Sequence, residues 1–137
     1  MYQRIIIIGH VGKDPESRFT PAGQQVTSFS VAANRQYHTK DGEDVKETVW
    51  FRVASWGKQA EVVNEYVRKG MLVMVEGTLT PDRKTGGPKV FKNKNGEASS
   101  SFEINSQTVK FLSRVEAEAI SGDQEVGSAT YEDEFPF

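Results

Sequence analysis

Trp50, Arg52, Ala54 and Trp56 recur two residues apart. In an extended chain that spacing puts their side chains on one face, with Val49, Phe51, Val53 and Ser55 on the other. An indole offers a flat π-face for stacking. A guanidinium between two indoles can pair with an anion or rest over a ring. Two indoles and a cation on one face are costly to leave against water alone. Two uses fit: stacking the bases of a nucleic-acid strand, worth about 1–3 kcal/mol per base, or burial in a core or a contact between copies of the chain.

A second stretch repeats the pattern. Residues 81–100 carry Arg83, Lys84, Lys89, Lys92 and Lys94 against Asp82 and Glu97, with Phe91 amid the lysines. Basic side chains around an aromatic can follow a phosphate backbone while the ring stacks on a base. A solvated hairpin with one apolar residue is the plainer alternative. Tyr37, between Arg35 and Lys40, repeats the theme in another turn region. These residues nominate Trp50, Trp56, Tyr37 and Phe91 for stacking. Arg52, Lys84, Lys89 and Lys92 are nominated for phosphates.

The elements that must position them follow from pattern and punctuation. Residues 5–8 are four isoleucines closed by Gly9 and read as a buried strand. Residues 12–23 hold Asp14-Pro15 and Pro21-Ala22-Gly23 and read as a loop. Residues 25–33 alternate, with Thr27, Phe29 and Val31 on one side. Lys40-Asp41-Gly42-Glu43 marks a turn before a strand at 48–56. Ala60, Val63, Tyr66 and Val67 have helical spacing, and Gly70 after Arg68-Lys69 is a stop signal. Strands at 72–79 and 102–112 flank the polar stretch 81–100. About five strands with one helix between the third and fourth predict an all-β, five-stranded Greek-key barrel of the oligonucleotide-binding type.

Charge divides the chain of 137 residues in two. Residues 1–112 carry 16 Lys+Arg against 12 Asp+Glu, a net +4, whereas residues 113–137 carry one Arg against seven acids, a net −6. A basic body with an acidic appendage suits a nucleic-acid binder, and equally an ordinary domain with a solvating tail. The expected organisation is a domain at 1–112 and a flexible, disordered acidic tail at 113–137. The tail ends in Glu132, Asp133, Glu134, Phe135, Pro136 and Phe137. Carboxylates, two rings and a terminal α-carboxylate suit a basic, apolar pocket on another protein. The absence of cysteine removes disulfides and thiolate metal sites, and two histidines make a zinc site improbable. No phosphate-cradling GxxxxGK[ST], GxSxG or HExxH motif is present. No enzyme activity, cofactor, metal or membrane span is expected.

Several motifs in one order resemble bacterial single-stranded DNA-binding proteins. Gly9-His10-Val11-Gly12-Lys13-Asp14-Pro15-Glu16 and Arg18-Phe19-Thr20-Pro21-Ala22-Gly23 resemble that family's first loop. Trp50-Phe51-Arg52-Val53 is similar to its central strand. Trp56-Gly57-Lys58-Gln59-Ala60-Glu61, running to Tyr66-Val67-Arg68-Lys69-Gly70, is similar to its helix, and Val75-Glu76-Gly77 to the strand beyond. The tip resembles the family's Asp-Asp-Ile-Pro-Phe ending, with Phe135 replacing an aliphatic residue. The resemblance implies an oligonucleotide-binding barrel that wraps single-stranded DNA as a homotetramer in the bacterial cytoplasm, associated with the nucleoid. It implies a tip that recruits replication, recombination and repair enzymes. It carries the stacking role onto Tyr37, Trp50, Trp56 and Phe91, and a phosphate role onto Lys58 and Lys69. His10 stands where the family usually has Asn, and the tail lacks the long Gly-, Pro- or Gln-rich linker. An interaction adaptor on the same barrel, and an RNA-directed binder, are the alternatives.

Overall fold

The computed structural model describes residues 1–113. Seven strands and one helix follow in the order β1 (Ile5–Val11), β2 (Glu16–Phe19), β3 (Gln25–His38), β4 (Asp44–Trp56), α1 (Gly57–Tyr66), β5 (Leu72–Thr80), β6 (Lys89–Lys92) and β7 (Ala98–Phe111). The hydrogen-bonded order is β1-β5-β7-β4-β3-β2, and β1 also pairs with β3. That second pairing closes β1, β5, β7, β4 and β3 into a five-stranded barrel. The all-β barrel with one helix is therefore as expected. β4 and β7 run parallel, and the other pairs are antiparallel.

Alternation builds the interior. Phe29 and Val31 of β3, Val53 of β4, Val73 and Val75 of β5 and Ile104 of β7 are buried together with Ile7 and Val11 of β1. Phe51 packs at the edge of this core, its ring 6.1 Å from that of Phe102. Helix α1 closes one end of the barrel through Val63 and Ala60, and Val67 just beyond it is also buried. The buried Thr27 hydroxyl donates to the Ala60 carbonyl at 2.7 Å, which ties the helix to β3.

Barrel closure depends on two glycines. A Cβ on Gly9 would lie 2.2 Å from the Ala32 carbonyl oxygen, and one on Gly77 would lie 2.0 Å from that of Asn105. Gly77 sits where the β5–β7 register shifts, leaving Gln107 as an extra residue on β7. The Gln107 carbonyl accepts from Gln59 of α1 at 2.9 Å, so the bulge also seats the helix.

The structure corrects several element boundaries. The region read as a loop at 12–23 contains β2, an entirely exposed strand with no hydrophobic alternation to reveal it. The turn region around Lys40–Glu43 is short. β3 reaches His38 and β4 starts at Asp44, with residues paired as far as the turn. The helix begins at Gly57 and ends at Tyr66, capped by Val67, whose N–H donates to Val63. Gly70 has φ +90° and turns the chain into β5, its N–H bonded to the Val11 carbonyl. The polar stretch 81–100 contains β6 and the start of β7. Its turns are held by side chains: Asp82 accepts from the N–H groups of Lys84 and Thr85, and Asn93 from those of Asn95 and Glu97.

Gly77→Ala should destabilise the barrel by about 1–3 kcal/mol, because its methyl would meet backbone and not a movable side chain. Gly87→Ala, whose Cβ would meet only Thr85 Oγ1 at 3.6 Å, should leave the urea midpoint unchanged. Equal midpoints for the two variants would refute the closure role of Gly77.

Candidate nucleic-acid interface

The β3–β4 ribbon keeps one register without a bulge from Val26↔Trp56 to His38↔Asp44. Unbroken register means unbroken alternation. Trp50, Arg52, Ala54 and Trp56 therefore occupy one face, opposite Ala32, Ser30, Ser28 and Val26 of β3. This face is outside the barrel. Trp50 is 54% exposed and Trp56 40% exposed, so neither indole is core.

Both rings are held in place. A Cβ on Gly12 would lie 2.6 Å from the Trp50 ring. Gly12 is fixed there by its N–H bond to the Ser30 carbonyl at 3.0 Å. Trp50 thus lies against a glycine that has no side chain to displace it. The Trp56 Nε1–H donates to Asn105 Oδ1 at 3.2 Å, which orients that indole across the β4–β7 seam.

The seam extends the face. Parallel pairing sets Arg52 beside Glu103 and Ala54 beside Asn105. A groove of about 330 Å³ crosses here, with Trp56, Arg52, Lys89, Glu103 and Arg18 along its walls. A second hollow of about 200 Å³ continues it toward β2 and shares Arg18, Ser28 and Arg52. Lys89 Nζ lies 3.3 Å from Glu103 Oε1. Among the described residues, Arg18 and Arg52 form no ion pair, so their charges are open to an incoming anion.

Phe91 belongs to the same surface. On β6 it lies two residues from Lys89 and faces the same way, its register partner being Ser99. It is half exposed. Tyr37 is elsewhere. Its position in the unbroken ribbon register has the opposite parity to Trp50, so it projects from the ribbon's other face. There its hydroxyl donates to Glu47 Oε1 at 3.0 Å, and the Arg35 guanidinium lies 4.9 Å over its ring. The hydrogen bond to the Glu47 carboxylate, more than any other influence, raises the Tyr37 pKa above the usual phenol value.

The nominated lysines divide in the same way. Lys89 lines the groove. Lys92 points from the opposite side of β6, opposite Ala98. Lys84 is exposed in the turn before β6, and Lys58 is exposed on α1. Lys69 is exposed beyond the helix, with its backbone N–H held by Asp14 at 2.9 Å. None of these four lines the groove. The residues 132–137 lie outside the described residues.

Arg18, Glu103, Asn105 and Thr80 line the groove but were not singled out from the sequence. Arg18 lies in a strand without apolar alternation, and only its pairing with Val26 places it beside Trp56. Glu103 and Asn105 alternate with Phe102 and Ile104, so their shared outward face was readable. Their position beside Arg52 was not, because it depends on a parallel pairing between distant segments.

A closed five-stranded barrel carrying exposed indoles and unpaired guanidiniums on one face defines an oligonucleotide-binding barrel. The model of the single-strand binding protein family matches residues 2–112, and the chain belongs to that family. It is 34% identical over 124 residues to the single-stranded DNA-binding protein of Thermotoga maritima, covering 90% of this chain and 83% of that one. It is 38% identical over 90 residues to single-stranded DNA-binding protein 1 of Chlorobaculum tepidum, covering 63% of this chain and 56% of that one. Among solved structures, it is similar to the Plasmodium falciparum SSB in complex with ssDNA, with a TM-score of 0.65 and 25% identity over 82% of this chain and 97% of that one. Among the described residues, no helix is long and apolar enough to cross a membrane.

Gly12→Ala should displace the Trp50 ring, because the new methyl would overlap it. Tryptophan emission should shift in wavelength or intensity while the far-ultraviolet dichroism of the barrel stays as it was. Unchanged emission would show that Trp50 does not rest on Gly12.

Proposed function

We propose that this protein binds single-stranded DNA without reading its sequence, keeps the strand extended during replication, recombination and repair, and catalyses no reaction. The observation that carries this reading is the exposed face on which Trp50 and Trp56 flank Arg52. Bases would stack on Trp50, Trp56 and Phe91. Phosphates would meet Arg52, Arg18 and Lys89 within the groove, and Lys58, Lys69, Lys84 and Lys92 where the strand leaves it. Tyr37 would stack only on strand wrapping the far face of the ribbon. The name of the Plasmodium complex, the family match and the named bacterial relatives support DNA as the ligand.

Assembly and recruitment belong to the same proposal. Ile6 and Ile8 of β1 are exposed on the outside of the barrel, and such apolar surface favours contact between copies. A homotetramer, working in the bacterial cytoplasm and associated with the nucleoid, is the form we propose. The Glu132–Phe137 tip would recruit the partner enzymes.

Titrating the protein with oligo(dT) at low salt should quench tryptophan fluorescence, and light scattering on the same samples should report a tetramer. Trp50→Ala and Trp56→Ala should each weaken binding by about 1–3 kcal/mol per lost stack. Arg52→Ala should lower the slope of log K against log salt by about 0.7. Absence of quenching would overturn the reading. Deleting residues 132–137 should leave DNA affinity unchanged or slightly raised while capture of replication and repair enzymes is lost. A large fall in DNA affinity on deletion would instead place the tip in the DNA site.

A further inference from the structure

Trp56 belongs to two elements at once. It is the last residue of β4, opposite Val26, and also the N-cap of α1. No loop separates strand from helix, because Gly57, with φ +62°, turns one directly into the other. A Cβ on Gly57 would meet nothing within 4 Å, so no packing at that residue limits the turn, and glycine itself leaves it free. The seat of the first turn of α1 must therefore fix the turn, and with it the direction of the Trp56 indole.

Gln59, in that first turn, makes the seat on the β7 side. A glutamine at the third helical position commonly reaches back to the N–H of its own N-cap residue. Here it reaches across to β7. Its Nε2 donates to the Gln107 carbonyl at 2.9 Å, and its Oε1 accepts from Ser106 Oγ at 2.5 Å. Ser106 Oγ lies 2.7 Å from the Oγ of Ser55, which is fully buried. A hydroxyl has one proton to give. With the Ser106 proton on Gln59, Ser55 donates to Ser106, and the bonds run in a chain from Ser55 through Ser106 and Gln59 to Gln107. Each bond in such a chain strengthens the next. Asn105, just before Ser106, accepts from the Trp56 Nε1–H at 3.2 Å. Consecutive residues of β7 thus hold Trp56 from both ends: Asn105 at the ring, and Ser106 and Gln107, through Gln59, at the backbone. The bond from Thr27 to the Ala60 carbonyl ties α1 to β3 and does not set its distance from β7.

We propose that Gln59 is a positioning residue for the Trp56 platform: it ties α1 to the β7 bulge and so holds the indole against Asn105, ready to stack a base. This rests on the single-strand reading above and deepens it. Gln59 is not on the walls of the groove, so it acts through Trp56. Without its two bonds the β7 side of α1 is loose, and the turn at Gly57 allows the indole more directions. The ring must then be ordered when a base arrives, and that cost is subtracted from the stack. Stacking is indifferent to base identity, so every sequence is affected alike.

Two measurements on the full chain test this. The first needs no DNA. Trp50→Phe leaves Trp56 as the sole tryptophan. In that background Gln59→Met, which forms neither bond, should lower the steady-state anisotropy of Trp56 emission. Ser106→Ala, which removes one of the two bonds, should lower it less. Unchanged anisotropy in both variants overturns the proposal. The second is a double-mutant cycle on oligo(dT) affinity. Gln59→Met alone should weaken binding about fivefold, the scale of one lost hydrogen bond, with the salt slope unchanged because no phosphate contact is touched. In a Trp56→Ala background, where Trp50 reports binding, the same substitution should leave affinity unchanged. Equal weakening in both backgrounds would make Gln59 a support of the whole barrel and overturn the proposal, as would no weakening in the parent chain. Failure of oligo(dT) to quench the unmodified protein is a separate result. It removes the single-strand reading, while the anisotropy of the free protein still decides whether Gln59 holds the ring.

Discussion

The structure depends on one close backbone approach, that of β1 to β3 at Gly9. β1 pairs with β5 from Ile5 to His10 and then with β3 through His10 and Val11. The change of partner requires the Ala32 carbonyl to come where a side chain at residue 9 would otherwise stand. Ala32 is also the register partner of Trp50. Beyond the closure point, Val11 leads directly to Gly12, which is bonded to Ser30 and lies under the Trp50 ring. A contact needed to close the barrel therefore also sets the floor of the first aromatic platform.

Much of this was legible in the sequence, for a physical reason. Period-two alternation survives wherever a strand has one buried face, so the shared face of Trp50, Arg52 and Trp56 followed from spacing alone. So did the inward set of Thr27, Phe29 and Val31. β2 escaped because all four of its residues are exposed, which leaves no apolar pattern, and Arg18 escaped with it. Tyr37 shows a different limit. Its separation from the tryptophan face depends on a register that runs without a bulge through the whole ribbon. One inserted bulge would have moved it to the other side, and composition does not report such insertions.

The groove also shows why net charge is a coarse guide to a binding surface. The body's excess of +4 is spread over all its faces. What matters locally is which cations are free. Arg18 and Arg52 are unpaired among the described residues, whereas Lys89 is already engaged by Glu103. Lys58, Lys69, Lys84 and Lys92 looked equivalent to Lys89 in sequence but do not line the groove. A surface for a flexible, uniformly charged strand can use these outlying charges along its path. The groove itself is shaped more by stacking and hydrogen bonding than by charge density.

The parallel seam between β4 and β7 has a consequence for how the chain acquires its site. It joins Phe51 to Phe102 and Ala54 to Asn105, partners 51 positions apart in the chain. The ordering entropy of so long a loop must be overcome before those contacts contribute anything. The β3–β4 ribbon, in contrast, is a local hairpin that can zip from its turn. Its indole-bearing face can therefore exist early, but the groove cannot, because its second wall arrives only when the seam forms. A half-folded chain would carry the stacking rings without the walls that align a strand across them. Recognition is thus tied to a long-range step of folding, the parallel pairing of β4 with β7.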